Sequence, residues 1–341
     1  MTTVGTRWSM AERAIAWGRE PDISARSALV TILGDTVAPL GGTVWLADLI
    51  ALAAPFGFSE RLVRTSMFRL AAEGWIGGER VGRRSRYSLT GYGRDEIAAA
   101  ERRIYQPRAR AWDGWWTLVF VPDPTGDGPG ERRDELERHL RWRGFARLAD
   151  GVRAAPNDDV EATRRLFERL ALDPAPPLAA ARFDRAPAVD SPSYRADSGL
   201  AAAEVGYRRF AERYDWTTDA PLDELDRSEA FALRTMIVHD LRRARLHDPE
   251  LPSALLSEEW VGHRAMDLAA SIHRRISGPA WAWVAEVTGL AVDGSDERVA
   301  LRFAERANIA NRSPRGRSPS RSPKDPPKET NDAEERHDRH R

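Results

Sequence analysis

The stretch that most constrains this chain runs from Gly57 to Leu89, GFSERLVRTSMFRLAAEGWIGGERVGRRSRYSL. Ser59 is placed to cap a helix, with Glu60 in the first turn, where the helix dipole favours negative charge. At about 100° per residue, Val63 and Leu70 point one way, flanked by Leu62 and Met67. Arg61, Arg64, Thr65 and Phe68 point the other way, with Arg69 at the edge. One face therefore belongs to a core, and the opposite face is long, basic and rich in hydrogen-bond donors. Gly74 stops the helix, Trp75-Ile76 opens an extended run, and Gly77-Gly78 and Gly82 mark turns. Arg83, Arg84 and Arg86 then crowd the approach to Tyr87.

A basic-faced helix followed directly by a basic hairpin is the layout of a winged helix-turn-helix. Its second helix enters the major groove, and its wing meets the backbone or the minor groove. From Ser59 to Tyr87 there are seven arginines against three glutamates, while the whole chain carries 52 basic and 52 acidic residues. The positive charge is local, as a DNA-contacting surface requires. The competing reading of the helix alone is an amphipathic helix with a solvated arginine face. The upstream helix and the hairpin together favour DNA.

At 341 residues the chain is long enough for two or three domains. It contains no cysteine, hence neither a disulfide framework nor a thiolate zinc site. The N-terminus lacks the apolar core of a signal peptide, and no run reaches the ~18 apolar residues of a membrane span. A soluble, cytoplasmic protein is expected.

Taken in order, residues 1–22 read as polar and irregular or partly helical, with Trp8 and Trp17 either docking on the next domain or framing a leader. SARSALVTILGDTV predicts a helix with an apolar stripe of Leu29, Ile32 and Leu33. VWLADLIALAAPFG predicts a second, packed by Leu46, Leu49, Ile50 and Ala53. With the basic helix and its wing, residues 23–90 are expected to form a winged helix-turn-helix domain that buries a small core of its own. Residues 91–111 form a connecting helix of a type that often spaces two DNA-reading heads in a dimer. Residues 112–197 alternate strand and helix, which suggests a ferredoxin-like α+β unit, with a further strand or a linker between Pro174 and Pro192. Residues 198–292 are expected to be a helical C-terminal domain whose last two helices are SEEWVGHRAMDLAASIHRRI and GPAWAWVAEV. Residues 308–341 are low-complexity and read as disordered. The fold class is thus α+β and multidomain.

SARSALVTILGD, the GGTVWLADLI helix, SERLVRTSMFRLAAEGW and the wing RVGRRSRYSLT resemble PaaX-type transcriptional regulators. WDGWWTLVFVPD resembles that family's first central strand, and HDLRRARLHDPELPSALLSEEWVGHRA its C-terminal signature. The resemblance covers roughly residues 23 to 290. It implies a homodimeric repressor of phenylacetate-type catabolism that binds double-stranded operator DNA. It further implies a central domain similar to CRISPR-associated ferredoxin-like nucleases, and an effector that is an aryl-acetyl coenzyme A thioester such as phenylacetyl-CoA. Phe68 departs from a purely polar reading face, since phenylalanine makes only apolar contacts, for instance to thymine methyls. The operator sequence does not carry over.

The expected DNA-contacting residues are Ser59, Arg61, Arg64, Thr65, Arg69, Arg83, Arg84, Arg86 and Tyr87. For an effector, His239, Arg242 and Arg243 on one helix offer a cationic pocket for phosphate or carboxylate oxygens, with Trp260 as an aromatic wall. The plainer alternative pairs that helix face with Asp240 and Asp248 and buries Trp260, Trp281 and Trp283. The eight-residue spacing of His239 and His247 is not that of a helical zinc pair. Asp123, at the end of the first central strand, is the one candidate for a metal-dependent nuclease, the rival class. In VPDPTGDGPG an aspartate is also an ordinary turn former. A third class is a winged-helix module that binds protein. No phosphate loop, dinucleotide fingerprint or nucleophile elbow occurs, so no enzyme activity and no resident cofactor are expected.

Overall fold

Ser9 opens the first helix, α1 (Met10–Gly18), with a capping box: its hydroxyl accepts from the Glu12 amide, and the Glu12 carboxylate accepts from the Ser9 amide. Met10, Ala14 and Trp17 form the buried stripe of this helix. The leader is therefore partly helical, from Met10 to Gly18, and its Trp17 docks on the body. The molecule is described by a computed structural model at residues 8–105, 112–121, 130–156, 159–183, 189 and 192–290.

Helix α2 (Ala25–Ile32), capped by Ser24, runs into a π turn at Leu33–Val37. A short strand β1 (Thr43–Trp45) leads into α3 (Leu46–Ala53). Next come α4 (Glu60–Ala72) and a hairpin of β2 (Ile76–Val81) and β3 (Arg84–Leu89). The hairpin turns at Gly82-Arg83, where Gly82 takes φ 61° at the first turn position, the place where a two-residue hairpin loop of the II′ kind needs glycine. Strand β1 pairs antiparallel with β3, Thr43 opposite Ser88, so this sheet is three-stranded, in the order β1-β3-β2. In α4, Val63, Met67 and Leu70 are buried as expected, but Ser66 takes the fourth inward position and Leu62 is 44% exposed. Ser66 lies nearer the Val63–Leu70 axis than Leu62 does, and its small side chain fits where α4 meets α2.

Thr90 starts α5 (Gly91–Tyr105), its hydroxyl accepting from the Gly93 amide. This connecting helix does not stand clear of the body. Its Ile97, Ile104 and Tyr105 are buried, with Ile97 and Tyr105 against the π turn, and the helix packs on the long helix α10 described below.

The central unit runs β4 (Trp116–Phe120), α6 (Gly130–Trp142), β5 (Ala146–Ala149), β6 (Val152–Ala155), α7 (Val160–Arg169), β7 (Leu178–Ala181). All pairings are antiparallel and the sheet order is β5-β6-β4-β7. FARLADGVRAAP thus makes a hairpin of β5 and β6, and the Pro-rich stretch supplies the fourth strand. Strand β4 reads as a continuous apolar run because both of its faces are covered. Val119 packs with Leu136, Leu140, Leu166 and Phe167 of α6 and α7, while Trp116 and Leu118 face the main core.

The C-terminal helices are α8 (Pro192–Asp197), α9 (Leu200–Tyr214), α10 (Arg227–His247) and α11 (Val261–Thr288). Helix α11 is one helix through Gly278-Pro279, where two were expected. Ile276, Ala280 and Val284 continue one buried face across the proline, and that tertiary burial outweighs the single backbone bond proline removes. Helix α10 is the hub: α1, α2, α5, α9 and α11 all pack on it. Residues 23–90 therefore do not bury a separate core. Leu29, Val63 and Leu70 belong to the same apolar cluster as Phe231, Leu233 and Ile276. Among the described residues no helix is long and apolar enough to cross a membrane.

Candidate nucleic-acid interface and the cavity behind it

Ser59 caps α4 through the Leu62 amide at 3.3 Å. This sets the helix start so that Arg61, Arg64, Thr65, Phe68 and Arg69 all lie on the exposed face. Phe68 is 73% exposed, the most exposed of the large hydrophobic side chains described. The Thr65 hydroxyl donates to the Arg61 carbonyl at 2.9 Å, and Arg64 pairs with Glu60 one turn earlier at 2.6 Å. Arg61 and Arg69 make no ion pair among the described residues.

On the wing the arginines divide. Arg84 lies over the Trp45 ring at 4.1 Å and 4.0 Å from Asp48, and Arg86 sits over the same ring at 5.6 Å while pairing with Glu79. Arg80 and Arg83, at the hairpin tip, make no ion pair among the described residues. Tyr87 is half-buried, opposite Gly78, where a Cβ would come within 2.9 Å of its ring. The sequence places every arginine of the wing alike. The organising role of Trp45 was missed, because the strand that carries it reads as the start of a helix.

Helix α4 rests on α2, with the Arg26 guanidinium on Glu73 at 3.1 Å joining their ends. Behind α2 a buried ion pair joins the π turn to α10. Asp35, in the π turn, accepts from the Tyr105 hydroxyl at 2.5 Å and pairs with Arg234 of α10 at 2.8 Å. The Arg234 guanidinium also stacks on Trp281 at 4.2 Å. Trp17 donates to Asp240 at 3.2 Å.

The residues expected to hold an effector are not brought together. His239 is wholly buried, its Nδ1 3.0 Å from the Thr31 hydroxyl and its ring edge-on to Trp17. Burial foremost, then Arg242 and Arg243, pushes its pKa down to about 3, so it is not a cation at neutral pH. Trp260 is buried edge-on to Tyr207, and Trp281 is buried as well. Arg243 faces outward, paired with Asp22 at 3.0 Å. Of that set, Arg243 lines a small hollow between α9 and α10, and Arg242 lines a separate, larger cavity. Asp123 and the tail 308–341 lie outside the described residues, and within them no three His, Asp or Glu side chains group as metal ligands.

That cavity, of about 660 Å³, lies where α2, α5, α6 and α10 meet. Val30, Ile97, Ile104, Val238 and Leu246 give it apolar walls, and Trp75, the residue between α4 and the wing, closes one side. Arg242 reaches in, donating to the Ser27 hydroxyl at 3.1 Å, and Arg138 and Arg141 of α6 stand at the exposed rim.

Three family models match successive parts of the chain: PaaX-like protein over residues 24–93, the PaaX protein central Cas2-like domain over 109–190, and the PaaX-like protein C-terminal domain over 199–286. The transcriptional repressor PaaX of Escherichia coli (strain K12) is 32% identical over 272 residues, 77% of this chain and 84% of that protein. The chain belongs to the PaaX family. Its three PaaX segments fall on the head and wing with the start of α5, on the four-stranded sheet unit, and on the α9–α11 bundle. An uncharacterized protein from Mycobacterium tuberculosis, Rv0674, matches at 23% identity with a TM-score of 0.49, over 75% of this chain and 98% of that one.

Proposed function

We propose that this PaaX-family chain is a ligand-responsive transcriptional repressor of a phenylacetate-type degradation operon. It acts in the cytoplasm as a homodimer on double-stranded DNA, through a winged helix-turn-helix, and an aryl-acetyl coenzyme A thioester such as phenylacetyl-CoA releases it. The related Escherichia coli protein is named a transcriptional repressor. The observation that carries the reading here is the exposed face of α4, with three arginines, a threonine and a phenylalanine on a helix whose other side is fully buried.

In this reading α4 lies in the major groove. Arg61 and Arg64 reach guanine edges, Thr65 serves either base, and Phe68 meets thymine methyls. Arg64 exchanges Glu60 for the base, a small loss, since an exposed i,i+4 pair contributes about 0.3–0.5 kcal/mol. Arg83 and Arg80 at the wing tip meet phosphates or the minor groove. Arg84 and Arg86, stacked on Trp45, present already ordered guanidiniums to the same backbone.

The test is Arg64→Ala in titrations on the cognate site and on random DNA. The expected loss is about 1–3 kcal/mol on the cognate site, with relaxed sequence preference. An equal loss on both would remove the base-reading role.

A further inference from the structure

Gly289, with φ 68°, closes α11, and its amide donates to the Ala285 carbonyl at 2.9 Å. The Leu290 amide then donates to the Thr288 hydroxyl at 3.3 Å. This turn brings the end of α11 against the reading head. Val284, Thr288 and Leu290 share the walls of a hollow of about 240 Å³ with Trp45, Asp48 and Arg86. Arg84 and Arg86 are the two guanidiniums over the Trp45 ring. Residues 291–341 therefore leave the body beside the arginines assigned above to the DNA backbone.

The sequence that follows is sharply segregated in charge. From Arg312 to Lys328, RSPRGRSPSRSPKDPPK carries six cations against a single aspartate, in a chain that balances 52 basic with 52 acidic residues. The run has five prolines and no Val, Ile, Leu, Met or aromatic residue. That composition offers no apolar face with which to join a core, and its prolines withhold the backbone donors of a helix. Its cations are thus free of structural duty, and a block of like charge of this kind serves as an arm on nucleic acid. The plainer partner is the chain's own end, but from Glu329 to Arg341 five acids stand among three arginines. A duplex presents a far denser anion, one charge per about 1.7 Å of its axis. From Leu290 to Arg312 is 22 residues, a tether of about 25 Å as a coil and at most about 75 Å extended. Tethering makes the second contact intramolecular, at an effective concentration on the order of mM.

We propose that Arg312, Arg315, Arg317, Arg321, Lys324 and Lys328 form a second, sequence-independent DNA contact, on phosphates that flank the bases read by α4. The head selects the sequence, and the basic run adds affinity on the neighbouring backbone. This contact rests on the reading of the head as a DNA-binding module.

Salt titrations of DNA binding by the full chain test it, comparing the wild type with a variant in which all six cations are Gln. A third protein, with the four arginines of the run replaced by Lys, keeps the charge and should match the wild type within about twofold. The Gln variant should raise Kd at least about tenfold at ~50 mM salt, on the preferred fragment and on random DNA alike. It should also reduce the slope of log K against log salt by at least about two units, since each phosphate contact contributes about 0.9. On a duplex trimmed to the bases that the head itself protects, wild type and Gln variant should bind alike. A wild type that keeps its advantage there would overturn the flanking placement. Affinity within about twofold and an unchanged slope in the Gln variant, with Arg64→Ala still losing sequence preference, would overturn the contact and leave the repressor reading standing. A wild type with no preferred fragment, weakened on all DNA by the Gln substitutions, would refute the repressor reading and leave the contact standing.

Discussion

At the residue scale, two buried groups on α10 give the sharpest tests of the packing. Arg234 is shielded from solvent with Asp35 as its ion-pair partner and Trp281 beneath it. Arg234→Leu leaves the Asp35 carboxylate buried without its cation, which should cost about 3–5 kcal/mol in a denaturant titration. A loss below about 1 kcal/mol would mean that Asp35 is solvated. His239, neutral in the core with its pKa down at about 3, binds fewer protons folded than unfolded between that value and its ordinary value near 6.5. The stability it contributes is therefore complete above pH 6.5 and falls as the pH drops toward 3, by up to about 1.4 kcal/mol per unit. His239→Leu should flatten that slope in acid unfolding curves, and an unaltered slope would show that His239 protonates in the folded state. The sequence shows His239 beside two arginines, and arginine neighbours on one helix suggest a cationic pocket. Burial decides otherwise, and burial of a helical residue depends on partners more than 200 positions away, here Thr31 and Trp17. Arg242, one turn further on, differs only in facing the gap between α5 and α6.

At the scale of elements, the segment from α4 through the hairpin was the most legible part of the chain, because each of its signals is local. The Ser59 cap, the spacing of Val63, Met67 and Leu70, and the glycine at the hairpin turn are all visible within 30 residues. The α1 capping box, Ser9 with Glu12, is an equally local signal, and it fixes where the partly helical leader begins. The continuous α11 was not legible, since Pro279 is a helix-stop signal that only the buried face of the folded helix overrides. Nor was the division of the wing arginines, which is set by Trp45 on a strand paired across the sheet. That division makes a prediction. Arg83, at the tip and without an ion pair among the described residues, should contribute one phosphate contact. Arg83→Ala then weakens all DNA sequences alike and reduces the slope of log K against log salt by about one unit. An unchanged slope would take Arg83 off the phosphate backbone.

At the scale of the whole molecule, the reading head and the C-terminal bundle share one apolar core, and α10 is the element both are built on. Ion pairs reinforce that union at the surface, where Arg209, Arg213 and Arg243 hold Glu20 and Asp22 of the segment between α1 and α2. The sequence suggests a head on a connecting helix, free to be spaced by a dimer. In the fold the connecting helix is instead a wall shared by head, central unit and bundle. The central claim is that this head reads a specific DNA sequence. Its most direct test is a titration of the full chain on fragments from its own gene's neighbourhood, against random competitor DNA, with and without phenylacetyl-CoA. The account predicts one fragment bound with Kd of about 10 nM or below, as specific sites are, and released by the thioester. Binding that shows no preference over random DNA at any salt concentration would contradict it.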